Sequence, residues 1–383
     1  MKILHICLAT SYIEGLSYQE NLLSQYHKKM GFDVYILSSL RSFDKDGNYI
    51  YEKEAKEYIN SFGIHVKQLS YFRPIKIGHL LKKFKGTFDS IAKIEPDIIF
   101  VHGVQSVENI SIIKYAKLHP NVKIFADNHS DFSNSALNWI SKNIQHKLIW
   151  RHYAKKLNPY VTKFWGVLPA RVDFLINMYK IPKNKTDLLV MGADDELVLK
   201  YSSKEAKSTI RKELGYQDRD FVIVTGGKID RWKKQTLLLM DAINIIKDKN
   251  IKLLVFGSVV PELKDEINKR CSKYVKYVGW ANNEESYFYF AAGDLVCFPG
   301  RHSIYWEQVA GQGIPMICKY WEGTTHTNFG GNVLFLYRDE IDELCDAISK
   351  ARNNINLMKQ KAIACSKMFL YSDIAKKAIG LKD

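Results

Sequence analysis

The 383-residue sequence predicts an α/β protein built from two successive doubly wound units. Short runs of β-branched and aromatic residues alternate with helical patterns, and that alternation stops and then restarts past mid-chain. Most of the strand runs are also predominantly apolar, as expected of parallel strands covered by helices on both faces.

In the first half the strand candidates are KILHICLA (2–9), FDVYILSS (32–39), HVKQLS (65–70), DIIFVHG (97–103), KIFADN (123–128) and KFWGVL (163–168). Between the first two, SYQENLLSQYHKKMG reads as a helix. Ser17 and Glu20 make a capping box, Leu22, Leu23, Tyr26 and Met30 line one face, and Gly31 closes it. The polar stretch Glu196 to Asp220 reads as the connection. The second half offers DFVIVTGGK (220–228), IKLLVFGS (251–258), VKYVGW (275–280), LVCFPG (295–300), IPMICKY (314–320) and VLFLY (333–337).

Ligands of open parallel sheets bind beyond the carboxyl ends of the strands. Chemistry is therefore expected in the loops at 10–17, 102–108, 127–133, 226–234, 257–261, 299–306 and 321–331, around one cleft if the two sets of strand ends face each other.

Composition narrows the function classes. Hydrophobic and charged fractions of 46% and 25% are those of a folded globular chain, not a disordered one. The six Cys are scattered without CxxC spacing, and Cys7, Cys297 and Cys318 sit inside apolar runs, which argues for a reducing compartment and against structural zinc. MKILHICLAT mimics a signal peptide, yet its apolar run is short, contains His5 and leads into a polar turn, so it reads as a first strand. No stretch reaches the length of a membrane span; a cytoplasmic protein, soluble or peripheral on the inner membrane face, is expected.

The net charge of +15 favours a polyanion, an anionic membrane surface or phosphorylated substrates. YFRPIKIGHLLKKFKG (71–86) fits either a solvated helix face over the core or a membrane-surface segment. No helix-turn-helix, zinc-finger or RNA-binding aromatic signature accompanies the charge, so nucleic acid is not an expected partner.

The loop GGKIDRWKKQ (226–235) follows a strand and opens a helix. Gly226 and Gly227 allow close backbone approach, and Lys228, Arg231, Lys233 and Lys234 gather on the same turn, which reads as a diphosphate site or as a surface charge run. It lacks the GxxxxGK[ST] order of a nucleotide-hydrolysing P-loop.

On these residues the chain resembles the GT-B glycosyltransferases of the family-4-like group (glycosyltransferase group 1), retaining enzymes with two Rossmann-like domains and nucleotide-sugar donors. In that group a Gly-Arg turn and a following Lys grip the donor diphosphate. Here Lys228 stands for the Arg and Lys234 for the Lys, after Gly227. LLVFGS (253–258), YVGWANNEESYFYFAAGDLVCFPG (277–300), RVDFLINMYKIPKNKTDLLVMGADDEL (171–197) and MFLYSDIAKKAIG (368–380) resemble further segments in order and spacing.

The resemblance implies an acceptor-side domain at 1–197 with a returning helix at 366–383, and a donor domain at 198–365. It implies nucleoside contacts from Gly257, Gly279, Trp280 and Glu307, and it counts Glu307 with His129 as catalytic. The family's Glu-x7-Glu signature is incomplete: Glu307 matches its second acid, a ribose ligand, but Pro299 occupies the place of the first, and HSIYW replaces the usual acidic turn. Ser303 and nearby N–H groups are expected at the diphosphate, and His302 at the donor sugar.

On the first domain His129, in the DNHSD loop, matches the family's catalytic His near the donor sugar. Gly15, Ser17 and His102 are expected on the acceptor side, with Gln19 and Asn21 as further candidates. The implied reaction is a metal-independent hexosyl transfer with retention, from a nucleotide-diphosphate sugar to a saccharide or polyprenyl-diphosphate-linked acceptor. It would serve bacterial surface polysaccharide (capsule or O-antigen) biosynthesis and need no cofactor. A nucleotide-sugar epimerase of the same fold and a non-catalytic partner subunit are the rival expectations.

Overall fold

A computed structural model of the chain describes residues 1–43 and 49–381. Among these, the strands are β1 (Lys2–Cys7), β2 (Asp33–Ser38), β3 (Arg41–Phe43), β4 (Tyr49–Tyr51), β5 (Glu57–Ile59), β6 (His65–Gln68), β7 (Ile98–Val101), β8 (Lys123–Asn128), β9 (Lys163–Gly166) and β10 (Thr186–Leu188) in the first half. The second half contributes β11 (Phe221–Gly226), β12 (Ile251–Phe256), β13 (Val275–Tyr277), β14 (Leu295–Phe298), β15 (Met316–Lys319) and β16 (Val333–Leu336).

The chain divides into two compact units: Met1–Val190 joined by the last segment from Ile374, and Met191–Asp373. The first holds an eight-stranded sheet in the order β10-β9-β8-β7-β1-β2-β6-β5. Every neighbouring pair is parallel except the edge pair β5–β6. The second holds a wholly parallel six-stranded sheet, β13-β12-β11-β14-β15-β16.

Central strands β1, β7, β11 and β14 are buried almost throughout, because Ile, Leu, Val and Phe on both faces meet helices on both sides. One core cluster joins Leu4, Ile99, Ile124 and Phe164 with helix residues such as Ile112 and Trp150; the other joins Ile223, Leu253, Leu295 and Ile317 with Leu239 and Ile348.

The strand orders fix where ligands belong. In each sheet the first strand is flanked on opposite sides by strands reached in opposite directions of winding, between β1 and β7 and between β11 and β14. The loops leaving such a switch point diverge and leave a crevice.

Local expectations differ from the structure in three places. The Ser17/Glu20 capping box does not form: the helix runs Gln19–Lys29, its N-cap is Tyr18, and no side chain caps it. The pair β3–β4 and the edge strand β5, three residues each, are too short to have declared themselves in the sequence. The stretch 71–86 makes a short helix, Ile75–Leu81, whose Ile75, Ile77 and Leu80 face solvent, against the core-covering one of its two readings.

Candidate functional site

The switch point of the first sheet carries a chain of histidines. His5 lies in β1, His102 directly follows β7, Asp127 lies in β8 and His27 is on the helix behind β1. All four side chains are completely buried. The ring nitrogens connect in series: His27 Nε2 to the Ala375 carbonyl at 2.9 Å, His27 Nδ1 to His5 Nε2 at 3.0 Å, His5 Nδ1 to His102 Nε2 at 2.9 Å, and His102 Nδ1 to Asp127 Oδ2 at 3.0 Å.

The two ends of this chain, a carbonyl and a carboxylate, only accept hydrogen bonds. Four bonds need four hydrogens, whereas three neutral imidazoles supply three. The geometry therefore calls for one additional proton on the three rings, neutralised by Asp127. Burial first, then the neighbouring rings His27 and His102, hold His5 well below its ordinary value. Burial takes His27 down to about 4.

Burial alone would raise the Asp127 carboxyl, but His129 and His102 overcome it and hold it well below the usual carboxylate range. Asp127 Oδ1 also accepts the Gly103 N–H at 2.8 Å. His129, 26% exposed at its side chain, stands 3.3 Å from Asp127 Oδ2. Burial opposes its charge, but the Asp127 carboxylate wins and raises its pKa.

The other expected residues of this unit are placed as follows. Gly15 is exposed and Ser17 half-buried in the loop before the helix. Asn21 is buried and donates to the Ile13 carbonyl at 2.9 Å, which pins that loop. Gln19 is buried with neither amide atom partnered. Both ring nitrogens of His102 are engaged within the protein, whereas His129 reaches solvent.

At the switch point of the second sheet three glycines let backbone approach backbone. Gly257 (φ +126°) lies so close to the next loop that a Cβ there would stand 1.9 Å from the Gly227 carbonyl oxygen. Its N–H donates to the Gly279 carbonyl at 2.6 Å. Gly227 (φ +121°) forms the turn after β11, and a Cβ on it would meet Lys233 Nζ and the Tyr305 ring, each at 3.7 Å. A Cβ on Gly300, after β14, would stand 3.3 Å from Lys233 Cα.

Lys233 is thus the cation drawn back over the Gly227 turn, while Lys228 and Lys234 point into solvent. Burial lowers the Lys233 pKa, with Asp230 partly offsetting it. Among the described residues no carboxylate lies within ion-pair distance of its ammonium. A desolvated cation with no directly paired carboxylate among the described residues, beside glycine turns, is arranged to receive an anion. Trp280, just beyond Gly279, is 68% exposed.

Glu307 is completely buried in the first turn of the helix Tyr305–Gly311. Its Oε1 accepts from His302 Nε2 and from His326 Nε2, both at 2.8 Å. Burial would raise its pKa, but His302 and then His326 bring it down to about 2. Its Oε2 is buried without a partner. The expected ribose acceptor is therefore already engaged through one oxygen, and His326, which sequence reading missed, is one of its two donors. The ligand-type atoms of His302, Glu307 and His326 lie within 4.8 Å of one another, but two N–H···O bonds already account for their closeness. The next residue, Gln308, donates to Ser286 Oγ at 2.9 Å. Ser303 is half-buried, and no side chain caps this helix.

The paired acids Asp194 and Asp195 mark a helix start. Asp194 caps the helix Asp195–Tyr201, accepting from the N–H groups of Glu196 and Leu197.

Comparison with known proteins bears on the family and the fold. Residues 220–354 match the family model described as Glycosyl transferases group 1. No curated protein matches the chain in sequence. The fold is that of the GT-B glycosyltransferases. HepE of Anabaena in complex with UDP superposes with a TM-score of 0.67 at 17% identity, over 98% of each chain. WaaG, a glycosyltransferase involved in lipopolysaccharide biosynthesis, gives 0.63 at 12% identity, over 99% of this chain and 100% of that one. A UDP-GlcNAc 2-epimerase of Neisseria meningitidis bound to UDP-GlcNAc gives 0.60 at 12% identity over 99% of each.

Proposed function

We propose that this chain, with a glycosyl transferases group 1 region at 220–354 on a GT-B fold, is a glycosyltransferase. It moves a sugar from a nucleotide-diphosphate donor to a saccharide or polyprenyl-diphosphate-linked acceptor, with retention. The observation that carries the reading is the Lys233 ammonium over the Gly227 turn, at the switch point between β11 and β14, with no carboxylate at ion-pair distance among the described residues. A departing nucleoside diphosphate carries its charge to such a place, and fixed cations and backbone N–H groups stabilise it without a metal. The UDP held by HepE supports a nucleotide in this role. His129, positioned by Asp127, is the group we assign to the donor sugar.

We place the enzyme at an anionic membrane surface on the cytoplasmic side, in bacterial surface-polysaccharide synthesis. The support is a row of exposed apolar side chains, Leu137, Trp139, Ile140, Ile144 and Leu148, each between 41% and 70% exposed. They lie along and just before a π-helix, Ser141–Trp150, and are interleaved with the exposed Lys142 and Lys147. Apolar anchors flanked by cations suit an anionic headgroup layer. No described helix is long and apolar enough to cross a membrane.

Calorimetric titration with UDP, GDP and ADP, followed by donor-hydrolysis assays on the matching nucleotide sugars, tests the reading. Binding of one nucleotide that is lost in Lys233→Ala, with slow release of free sugar, supports transfer. Release of an epimerised sugar would favour the epimerase, to which the Neisseria likeness lends weight. Nucleotide binding without turnover on any donor would favour a non-catalytic subunit, as would the Pro299 that replaces the first acid. No binding of any nucleotide would sink the proposal.

A further inference from the structure

Three neighbouring strands, β11, β14 and β15, each send one residue from their carboxyl-end loops to a common point. Arg301, after β14, has its guanidinium carbon 4.7 Å from the ring centre of Trp232, from the loop after β11, and 5.8 Å from that of Trp321, from the loop after β15. Arg231 covers the Trp232 ring as well, at 5.2 Å. Trp232 and Trp321 remain 52% and 39% exposed.

The Arg301 guanidinium thus lies over the rings of both indoles. Such contacts use its charge and leave its N–H donors free to bond. Among the described residues no carboxylate lies within ion-pair distance of Arg301 or Arg231. Two large indoles from separate loops thus hold one arginine whose hydrogen-bonding edge has no partner among the described residues. A planar fork held ready in this way matches a carboxylate or a phosphate, which accept two parallel N–H bonds. Exposed indole surface beside it offers the flat apolar platform on which a sugar ring lies.

We propose that Trp232, Arg301 and Trp321 form a subsite for an anionic saccharide, the acid or phosphate group on the Arg301 edge and a sugar ring against an indole. The assignment rests on the donor reading above for its place in the reaction, and it adds a second anion beside the diphosphate held at Lys233. That anion belongs either to the donor's own sugar or to the acceptor saccharide.

Calorimetry on the full chain distinguishes the sources. One arm compares UDP-glucuronate, UDP-glucose and UDP. The other compares methyl glucuronoside and glucose 6-phosphate with methyl glucoside, on free and on UDP-saturated protein. If the anion is on the donor, UDP-glucuronate binds about tenfold or more tighter than UDP-glucose, and Arg301→Gln abolishes that preference while leaving UDP affinity unchanged. If it is on the acceptor, the donors are not discriminated, and an acidic saccharide binds in a manner lost in Arg301→Gln. Arg301→Lys, which keeps the charge without the fork, retains only part of either preference.

The proposal is overturned if neither arm shows a preference for the acidic ligand. It is equally overturned if Arg301→Gln weakens UDP as much as UDP-glucuronate, since Arg301 would then belong to the diphosphate. Failure of UDP to bind at all strikes the donor reading, and the saccharide arm on free protein then decides the subsite alone. The melting temperature of Arg301→Gln, expected unchanged for a half-buried loop residue, guards against misfolding.

Discussion

His102 Nδ1 and Asp127 Oδ2 stand 3.0 Å apart, both side chains completely buried, at the carboxylate end of a series whose four hydrogen bonds need one hydrogen more than three neutral rings supply. Nitrogen-15 NMR of the imidazoles near pH 8 should find one ring of His5, His27 and His102 doubly protonated and two neutral. Three neutral rings would refute the count. In Asp127→Asn the acceptor is weakened and its charge removed, so the added proton should be lost and His129 should titrate at a lower pH.

The same series predicts an acid limb of stability. His5 and His27 have lowered pKa values in the folded protein, His27 to about 4, so the unfolded chain binds more protons than the folded one below its ordinary value of 6.5. Their contribution is complete above pH 6.5 and falls as the pH drops towards 4. Urea midpoints measured across that window should decline, and less steeply in His27→Gln.

Glu307 acts at lower pH. Its carboxyl is brought from the ordinary 4.5 down to about 2, so its contribution is complete above pH 4.5 and lost as the pH falls through 2. Glu307→Ala strands two buried N–H groups and should cost about 3 kcal/mol or more in chemical denaturation at pH 7. Glu307→Gln keeps an accepting oxygen, costs less, and should flatten the limb between pH 4.5 and 2.

Adjacent lysines should behave unequally towards nucleotide. Lys233→Ala removes the ammonium drawn over Gly227 and should weaken UDP binding roughly 10- to 100-fold, the effect of losing one charged hydrogen bond. Lys234→Ala removes a solvated charge and should change it by no more than about threefold. Equal losses in the two variants, read by calorimetry, would contradict the placement.

Gly257→Ala puts a methyl group 1.9 Å from the Gly227 carbonyl oxygen, at a backbone angle side chains rarely adopt. Backbone, not a flexible side chain, stands in the way. Destabilisation of about 3 kcal/mol or more is expected, with nucleotide affinity lost in step.

These cases show what a sequence carries and what it does not. Both doubly wound sheets were legible, because runs such as FDVYILSS and IKLLVFGS signal buried parallel strands wherever they occur. The choice between Lys233 and Lys234 was not, because one residue's rotation about the turn decides which ammonium faces inward. His326 was hidden for another reason: it lies nineteen residues beyond Glu307 in an irregular loop, with no periodicity to tie the two together. Trp232, Arg301 and Trp321 come from three loops and meet only because β11, β14 and β15 are neighbours in the sheet. The misread helix start at Ser17 is simpler, since a capping pattern competes with the tertiary burial of Gln19 and Glu20.

The closing segment of the chain has a consequence for how the protein is made. From Ile374 the polypeptide belongs again to the unit it began, where Ala375 accepts from His27 and Ala378 accepts from the Trp165 indole N–H. A ribosome working from the amino end delivers all of the second unit before those carbonyls exist. Until the segment from Ile374 docks, the first unit therefore keeps the buried end of its histidine series open and the Trp165 indole N–H without its acceptor.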